Sequence, residues 1–468
     1  MSTGKAQQVY IYAREATGPR CSLNQSINIH TAHKTMSSVV RKSSPVVVRP
    51  SRPVIKSDTI KLSAFDKVVG KIPVTVLLVF ENPIHEPANT IMRALSETLV
   101  HYYPFAGRIV AGIDDGGEED HILCNGEGVA FISASCSNCA LKEAIFLDHS
   151  PCERALLQEL AIYYPAKGCG PADPLLLMQV TEFSCGGFVL GVTWNHVIAD
   201  GAGMAQFLQA VGELARGLSS PSIIPVRLDD SLPRLPPSMD DALRQVMLTL
   251  VPSHLAYLDI TVPSRSINLI RAEFGSRFDC QPCTMFEAVC AVLWQCRTRA
   301  IMSNSETPAV LMFSANVRKH VGAKPGYYGN CTSCQFLMAP SGTVASADIL
   351  DLVKMIKRAK EDIPHTSIVN QISNLTEANK GQMQQLFGPQ LRYNELLVTS
   401  WRNLGFEDAD FGSGKAARVT SYEAGNTPSS PACIVCLPCQ GEGGANVCSA
   451  FVKEEHAQAF LQELAKLM

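Results

Sequence analysis

The chain has 468 residues, which is enough for two or three domains with sizeable hydrophobic cores. Its 40 lysines and arginines nearly balance its 43 aspartates and glutamates, so the formal net charge is −3 and no basic field is available to bind nucleic acid. With 46% hydrophobic and 18% charged residues, the composition is that of a folded protein and excludes a chain that is disordered throughout.

The N-terminal segment carries no sign of a secretory signal. Residues 1–35 contain scattered lysines and arginines but no continuous apolar stretch, and no part of the chain approaches the roughly eighteen apolar residues that a bilayer span requires. We expect residues 1–35 to be a disordered extension, with Met36 as a candidate start and a transit peptide as the alternative. A cytoplasmic protein without a membrane partner is therefore predicted.

The next part of the chain mixes helices and strands. Residues 90–102 place apolar side chains at helical spacing, and Pro104 ends that run. Two apolar runs, 175–183 and 188–196, are separated by Ser184-Cys185-Gly186-Gly187 and predict a β-hairpin. Both helices and a sheet are therefore expected.

The segment best suited to chemistry lies at the end of this hairpin. On a regular strand that starts at Phe188, every second side chain faces the same way, so His196 ends a row of apolar residues. Gly201 and Gly203 give the backbone freedom to turn into a helix, whose apolar stripe starts at Met204. A titratable side chain held between two packed elements is well positioned for catalysis.

Plainer structural roles are open to the same residues. His196 could be a hydrogen-bonded core histidine, and Asp200 could be a helix N-cap that accepts a hydrogen bond from an early backbone N–H. A zinc site is poorly supported, because one histidine and one aspartate at this spacing supply too few ligands.

A proline-rich stretch near the middle of the chain separates two halves of similar size. Residues 219–238 contain five prolines and almost no periodicity, which is typical of a connecting segment. We expect this crossover linker to join an N-terminal domain at 36–218 to a C-terminal domain at 239–468.

The 17 cysteines raise the question of metal ions or disulfides. Cys433, Cys436 and Cys439 are spaced as in a zinc knuckle. However, the apolar segment around them predicts a buried strand, in which an offset of three sends side chains to opposite faces. We therefore expect no metal, and thiols that are mostly buried and reduced, as in a reducing cytosol.

Two motifs occur in the order found in the plant BAHD acyltransferases. His196-Val-Ile-Ala-Asp200-Gly resembles the HxxxD motif of that family, and Asp410-Phe-Gly-Ser-Gly414 resembles its DFGWG motif. The similarity extends from about residue 45 to the C-terminus. It includes Leu62-Ser-Ala-Phe-Asp66, Tyr102-Tyr-Pro-Phe-Ala-Gly-Arg108, Asn316-Val-Arg318, Gly326-Tyr-Tyr-Gly-Asn330 and Thr399-Ser-Trp401.

This resemblance implies an α/β fold of two chloramphenicol acetyltransferase-like domains, with mixed sheets, flanking helices and a channel at the domain interface. An acyl-CoA donor would enter from one mouth and a small-molecule amine or alcohol from the other. His196 would act as general base while the acceptor attacks the thioester. The reaction would need no acyl-enzyme and no cofactor, since acyl-CoA is a co-substrate. A monomer is expected.

The resemblance also implies roles for residues outside the base itself. Asp200 would point away from the channel and pair with Arg318, so that these two residues and Gly201 hold the motif in shape. Asp410 is a candidate catalytic residue, with a turn-forming role in its own loop as the alternative.

Four further residues are expected along the channel. Thr399 would donate a hydrogen bond to the developing oxyanion, and Trp401 would form an aromatic wall, with plain core packing as the alternative. Thr284, at the start of a helix, and Lys415 could meet the phosphates of CoA.

Three positions depart from the family pattern. Asn195 replaces a histidine that often precedes the catalytic one, and Ser413 stands where the DFGWG motif has tryptophan. Asn403 occupies the place of an arginine that binds the acceptor carboxylate in shikimate hydroxycinnamoyltransferases. The adjacent Arg402 would point to the opposite face of a strand and so would not replace that arginine. Because a buried carboxylate would then lack its partner, this position disfavours shikimate and quinate as acceptors.

Together these features predict transfer of an aromatic acyl group, benzoyl or hydroxycinnamoyl, from CoA to an amine or neutral alcohol in plant specialised metabolism. The alternatives are an acetyl-CoA-dependent alcohol acetyltransferase, a hydrolase that uses water as the acceptor, and a non-catalytic binder with the same fold. The intact His196, Asp200 and Asp410 argue against the binder.

Overall fold

The structure is a computed structural model, and the residues that it describes are 40–53, 58–112, 120–137, 141, 151–165, 169–230, 232, 255–361, 392–422, 431–439 and 441–467. The predicted N-terminal extension lies outside the described residues, as do residues 231 and 233–238 of the predicted linker. Within the described ranges, no helix combines the length and the apolar character that crossing a membrane would take.

Strands and helices are interspersed along the described chain. The strands are β1 (Val40–Lys42), β2 (Val46–Val48), β3 (Thr59–Lys61), β4 (Pro73–Phe80), β5 (Arg108–Val110), β6 (His121–Leu123), β7 (Val129–Cys136), β8 (Leu176–Phe183), β9 (Phe188–Asn195), β10 (Leu255–Val262), β11 (Pro308–Asn316), β12 (Thr332–Pro340), β13 (Glu395–Ser400), β14 (Arg418–Thr420), β15 (Ala432–Cys436) and β16 (Ala445–Lys453). The helices are α1 (Ala64–Val69), α2 (Pro87–His101), α3 (Pro151–Glu159), α4 (Gly201–Ala215), α5 (Ser264–Arg277), α6 (Met285–Ile301), α7 (Arg318–Val321), α8 (Ser341–Ser346), α9 (Ile349–Glu361) and α10 (Glu454–Leu467).

Helix α2 and the β8–β9 hairpin lie where the sequence predicts them. Helix α2 ends at His101, shortly before Pro104, and its apolar stripe packs on the first sheet. Strands β8 and β9 are antiparallel, with Glu182 paired to Phe188. The turn between them uses Gly186 with a φ of 89°, a conformation that favours glycine.

Seven strands form the first mixed sheet, in the order β1-β7-β8-β9-β4-β14, with β2 also paired to β7. Both faces of this sheet are covered, so β9 is buried along its whole length. Its side chains alternate between two cores. Val192 and Trp194 pack with helices α2 and α4, whereas Val189 packs with α3 on the other face. The alternation that the sequence predicts for this strand is confirmed.

Six strands form the second mixed sheet, in the order β10-β16-β15-β13-β11-β12. One of its faces packs on helices α5, α6, α9 and α10 around the buried Trp294. A small three-stranded sheet, β3-β6-β5, completes the fold. The prediction of an α/β fold with mixed sheets and flanking helices is confirmed.

A strand from the second half of the chain joins the first sheet. Strand β14 pairs with β4, and Arg418 of β14 forms a buried ion pair with Asp259 of β10, at the edge of the second sheet. The Tyr257 hydroxyl also donates a hydrogen bond to the Ser421 carbonyl oxygen at 2.7 Å. These contacts hold the two sheets against each other, while the domain boundary at 219–238 stays a prediction.

The segment around Cys433 is the buried strand β15, as the sequence predicts. Cys433 lies in the core around Trp294, whereas Cys436 faces the other way and lies 4.0 Å, sulfur to sulfur, from Cys448. Among the cysteines whose side chains the structure describes, all but one are free thiols. Cys136 is disulfide-bonded, so the expectation of reduced thiols does not hold at that position.

Candidate active site

His196 is the first residue after strand β9, in the turn that leads to helix α4. Its backbone N–H donates to the Ile72 carbonyl oxygen at 2.8 Å. The Asn195 side chain accepts a hydrogen bond from the Val197 N–H at 3.1 Å and so shapes the turn. His196 is half-buried, whereas Trp194 is fully buried. The imidazole therefore lies where the packed core meets accessible space.

Asn330 determines which nitrogen of the His196 ring carries a proton. The Asn330 Nδ2 donates to Asp66 Oδ1 and to the His196 carbonyl oxygen, each at 2.8 Å. Because only the amide nitrogen can donate to these two acceptors, the amide oxygen faces His196 Nδ1, 2.9 Å away. The neutral ring therefore carries its proton on Nδ1 and keeps a lone pair on Nε2, as a general base requires.

Asp66 holds Asn330 in this orientation. Its fully buried carboxylate caps helix α1 together with Ser63 and forms an ion pair with Arg227 at 3.0 Å. Burial by itself lowers the pKa of Arg227, but the charge and hydrogen bond of Asp66, together with two neighbouring tyrosines, outweigh burial and raise that pKa above its usual value. Arg227 also donates to the Val197 carbonyl oxygen at 3.2 Å, so the ion pair is anchored to the turn after β9.

Sequence reasoning assigned no role to Asp66, Arg227 or Asn330. For Asp66, the Ser-x-x-Asp spacing of a capping box was an available signal. Arg227 lies 161 positions from Asp66 and Asn330 lies 134 positions from His196, so local patterns carry no information on these contacts.

Asp200 caps helix α4 and binds Arg318. One carboxylate oxygen accepts a hydrogen bond from the Gly203 N–H at 2.9 Å, and Arg318 donates to both oxygens at 2.8 Å. The Cys331 N–H donates to the same carboxylate at 3.0 Å. These bonds tie the start of α4 to the backbone immediately after Asn330, which places the Asn330 side chain beside the imidazole.

Glycines at the start of helix α4 permit close packing. A Cβ at Gly203 would lie 1.7 Å from the Tyr328 carbonyl oxygen, and a Cβ at Gly201 would lie 2.6 Å from the Leu404 side chain. The first of these neighbours is backbone and cannot rotate aside. The absence of side chains at these glycines lets helix α4 come close to the segment around Tyr328. This close approach brings Asp200 within hydrogen-bond distance of Arg318 and Cys331.

Asp410 is bonded within its own loop. Its Oδ1 accepts hydrogen bonds from the N–H groups of Gly412 and Gly414, each at 2.8 Å, and its Oδ2 lies 3.6 Å from Nη1 of Arg216, the residue that follows helix α4. Within the described part of the chain, none of the hydrogen bonds or ion pairs of Asp410 involves His196. The geometry favours the turn-forming alternative, and the catalytic role stays a prediction.

The rest of this loop is anchored on the first sheet. Phe411 packs edge-on against Phe80, with ring centroids 5.4 Å apart. The Asn82 side chain donates to the carbonyl oxygen of the buried Ser413 at 3.0 Å. The Ser413 hydroxyl, which stands where DFGWG has an indole, has no hydrogen-bond partner among the described residues. The loop is thus held to the first sheet by the Ser413 carbonyl group, although the tryptophan of the motif is absent.

Thr399 and Trp401 lie at the end of strand β13. The Thr399 hydroxyl accepts a hydrogen bond from Ser314 on the neighbouring strand β11, at 2.7 Å. Trp401 is buried beside Phe406, with ring centroids 5.2 Å apart, and belongs to the same core as Trp194. Core packing is thus the role that the contacts of Trp401 support, and its role as a channel wall stays a prediction.

Arg402 is bonded to backbone carbonyl groups. Its Nη1 donates to the Gly444 oxygen at 2.7 Å and to the Cys436 oxygen at 3.4 Å. Burial lowers the pKa of this guanidinium. Arg402 is therefore held against strands of the second sheet, and the next residue, Asn403, brings no charge of its own.

The two residues predicted to meet CoA phosphates have other partners. Thr284 caps helix α6 in a capping box with Glu287, whose carboxylate is paired with Lys360 at 2.6 Å. Lys415 is exposed and pairs with Asp408 at 2.6 Å. A phosphate at either place would have to compete with a carboxylate, so this geometry does not favour the two CoA contacts.

Replacement of Thr284 by alanine is expected to lower the free energy of unfolding by about 1 kcal/mol, the usual cost of losing an N-cap. The KM for acyl-CoA is expected to change by less than about twofold, because the hydroxyl is already used by the helix. Urea denaturation and steady-state kinetics measure the two effects. Thr284→Ser keeps the capping oxygen and is the control. A KM raised about tenfold in T284A alone would restore the CoA role.

A cavity of about 470 Å³ lies beside the Arg318 guanidinium. Its lining includes Ala202, Gln206, Arg318, Lys319, Lys324 and Tyr327. His196 does not line this cavity, so the predicted channel past His196 stays a prediction.

Comparison with known proteins places these features in a family. The profile of the family described as "Transferase family" matches residues 38–467. Acyl transferase 15 of Oryza sativa subsp. japonica is 49% identical over 447 residues, which cover 92% of this chain and 99% of the relative. Myricetin 3-O-glucosyl 1,2-rhamnoside 6'-O-caffeoyltransferase AT2 of Crocosmia x crocosmiiflora is 30% identical, with the same shares covered. The 3'-N-debenzoyl-2'-deoxytaxol N-benzoyltransferase of Taxus canadensis is 29% identical over 82% of this chain and 85% of the relative.

Two solved structures share the fold. The crystal structure of vinorine synthase superposes with a TM-score of 0.68 at 22% identity, covering 92% of this chain and 98% of that one. The crystal structure of F. sporotrichioides TRI101 complexed with coenzyme A and T-2 superposes with a TM-score of 0.64 at 15% identity, covering 88% and 99%. At these identities the likeness establishes a common two-domain architecture.

Proposed function

The chain belongs to the BAHD family of plant acyltransferases, and we propose that it transfers an aromatic acyl group from CoA to an amine or a neutral alcohol. Hydroxycinnamoyl and benzoyl are the proposed acyl groups. Relatives named as a caffeoyltransferase and as an N-benzoyltransferase support this choice, and a CoA complex of a protein with the same fold supports the donor. We further propose that the enzyme works as a monomer in the cytoplasm.

The observation that carries the proposal is the hydrogen bond of 2.9 Å between His196 Nδ1 and Asn330 Oδ1. It leaves Nε2 unprotonated on a half-buried ring. A base in this state can accept a proton from a hydroxyl or amine group at its open side. In this proposal Asp200, Arg318 and Gly201 do not touch the substrates and instead hold the turn and Asn330 in place.

In the proposed reaction, the acceptor oxygen or nitrogen attacks the thioester carbonyl carbon while His196 Nε2 removes its proton. The new C–O or C–N bond forms, and the carbonyl oxygen takes up negative charge that the Thr399 hydroxyl stabilises. The tetrahedral intermediate then collapses, the C–S bond breaks, and the CoA thiolate takes the proton from the imidazolium. His196 returns to its starting state without an acyl-enzyme.

The acceptor is proposed to be a neutral alcohol or an amine. Asn403 carries no charge, and the Nη1 of Arg402 is bonded to the Gly444 and Cys436 carbonyl oxygens. An acceptor carboxylate would therefore be desolvated without the cation that shikimate hydroxycinnamoyltransferases provide, which is costly. Shikimate and quinate are accordingly expected to be poor acceptors.

Incubation of the pure protein with a panel of acyl-CoAs and acceptors tests this proposal. Free CoA thiol and acyl conjugate are measured together, and we expect equal amounts of both with hydroxycinnamoyl-CoA or benzoyl-CoA and an amine or alcohol. Faster transfer from acetyl-CoA would identify the acetyltransferase alternative, and thiol without conjugate would identify a hydrolase. Neither product across the panel would indicate a non-catalytic binder. His196→Ala serves as the blank.

A further inference from the structure

The hydroxyl groups of Ser314 and Thr399 form a directed pair. Ser314 Oγ donates to Thr399 Oγ1 at 2.7 Å. Because Thr399 accepts this bond, its own hydrogen is available for a different acceptor. Within the described residues the Thr399 hydroxyl makes no second hydrogen bond.

Both hydroxyl groups lie on the face of the second sheet that is turned away from its helices. Strands β11 and β13 are parallel neighbours, with Phe313 opposite Val398, so Ser314 and Thr399 are the next pair along. Phe313 and Val398 point into the core around Trp294. Since side chains alternate along a strand, the two hydroxyl groups point to the opposite side, and both residues are half-buried.

That face meets the half of the protein that carries His196. Ile434 of β15 is the register partner of Thr399. Its side chain belongs to the same core as Trp194, two residues before His196. The Thr399 side chain therefore lies on the face of the second sheet that packs against the core of the first.

Strand β12 links Ser314 to the chain segment that contacts His196. Ser314 is paired with Cys334 of β12. Asn330, whose amide oxygen faces His196 Nδ1, lies two residues before the start of the same strand. Ser314 is thus paired with the strand that follows Asn330, the residue that contacts His196.

We propose that Ser314 is a positioning residue that aims the Thr399 hydroxyl hydrogen at the thioester oxygen as that oxygen becomes negatively charged. This inference rests on the proposed function and deepens it. By occupying an acceptor site on Thr399 Oγ1, Ser314 limits rotation of the hydroxyl and polarises its O–H bond. A donor that is oriented before the reaction stabilises the oxyanion without reorganisation.

A double-mutant cycle tests this role. Thr399→Val is expected to lower kcat by about 10²-fold, as loss of one oxyanion donor does elsewhere. Ser314→Ala is expected to lower kcat by about tenfold, with the KM for acyl-CoA changed by less than about twofold, because the donor remains but is no longer oriented. In the Thr399→Val background, Ser314→Ala is expected to have no further effect on kcat. Ser314→Thr keeps the hydroxyl and is expected to retain activity.

The matched control is another pair of hydroxyl groups on neighbouring strands. Thr75 and Thr193 are 2.9 Å apart in the first sheet, on strands β4 and β9. Thr75→Val removes an inter-strand hydrogen bond of the same kind and is expected to leave kcat unchanged. The pH profile of kcat/KM is expected to be the same in S314A and the wild type, because the base is untouched.

Two results would overturn the proposal: wild-type kcat in Ser314→Ala, or losses from the two substitutions that simply multiply. The His196→Ala variant separates this proposal from the proposed function. If H196A is inactive and S314A is unaffected, only the role of Ser314 is wrong. If H196A keeps full turnover, the base mechanism itself is wrong.

Discussion

Replacement of His196 by alanine is expected to lower kcat by about 10²- to 10⁴-fold, the usual contribution of a general base. The substitution removes Nε2, the atom that takes the proton from the acceptor. Only a half-buried ring is lost, and the turn is still held by Asn195 and by the Asp200 ion pair. We therefore expect the variant to fold.

Steady-state kinetics with the donor and acceptor found in the panel measure this loss, and circular dichroism checks the fold. His196→Gln, which keeps a polar side chain but supplies no base, is expected to lose as much activity as the alanine variant. His85→Ala removes an exposed imidazole before helix α2 and is the matched control with wild-type turnover. Near-normal turnover of H196A would rule out the general-base role.

Replacement of Asp200 by alanine is expected to lower the free energy of unfolding by about 3–5 kcal/mol, the cost of breaking a buried ion pair. The Asp200 side chain is 3% exposed, and it accepts hydrogen bonds from Gly203, Arg318 and Cys331. Its loss would leave the Arg318 guanidinium, only 18% exposed, without its charge partner. Activity is expected to fall as well, because the segment that carries Asn330 is released.

Asp410→Ala is the matched comparison, since the Asp410 side chain is 32% exposed and its ion pair with Arg216 is long. An exposed pair contributes about 0–1 kcal/mol, so we expect a loss of about 1 kcal/mol. Urea unfolding followed by tryptophan fluorescence ranks the two variants. If D410A is the less stable of the two, Asp200 does not contribute more to stability than Asp410, and our prediction is wrong. If D410A is stable but loses about 10²-fold in kcat, the catalytic role of Asp410 is restored.

The parts of the fold that follow local patterns could be predicted from sequence. The apolar alternation from Phe188 to Trp194 and the glycine turn before it suffice for the β8–β9 hairpin, because strand periodicity is a local property. The same holds for Cys433 and Cys436, whose offset of three places them in different cores. The position of β14 in the first sheet could not be predicted, since its pairing with β4 joins residues more than 300 positions apart.

The candidate site shows the same division. The motif resemblance was enough to single out His196, Asp200 and Arg318, and the structure brings the last two together at 2.8 Å. The bond between His196 and Asn330 depends on the tertiary path of the chain, and no local pattern indicates it. At Thr284, by contrast, a local pattern was sufficient to predict the structural role. The Thr-x-x-Glu spacing is a capping-box signature, and attention to Glu287 would have indicated a helix cap in place of a phosphate contact.

The protonation state of one imidazole tests the central claim most directly. Long-range ¹H–¹⁵N correlation spectra of protein labelled with ¹⁵N-histidine report which ring nitrogen carries the proton, and the His196 signals are assigned by their loss in H196A. At the alkaline end of a pH titration, where imidazole is neutral, we predict a proton on Nδ1 and a bare Nε2. A proton on Nε2 would contradict the arrangement of Asn330 and the base mechanism that depends on it.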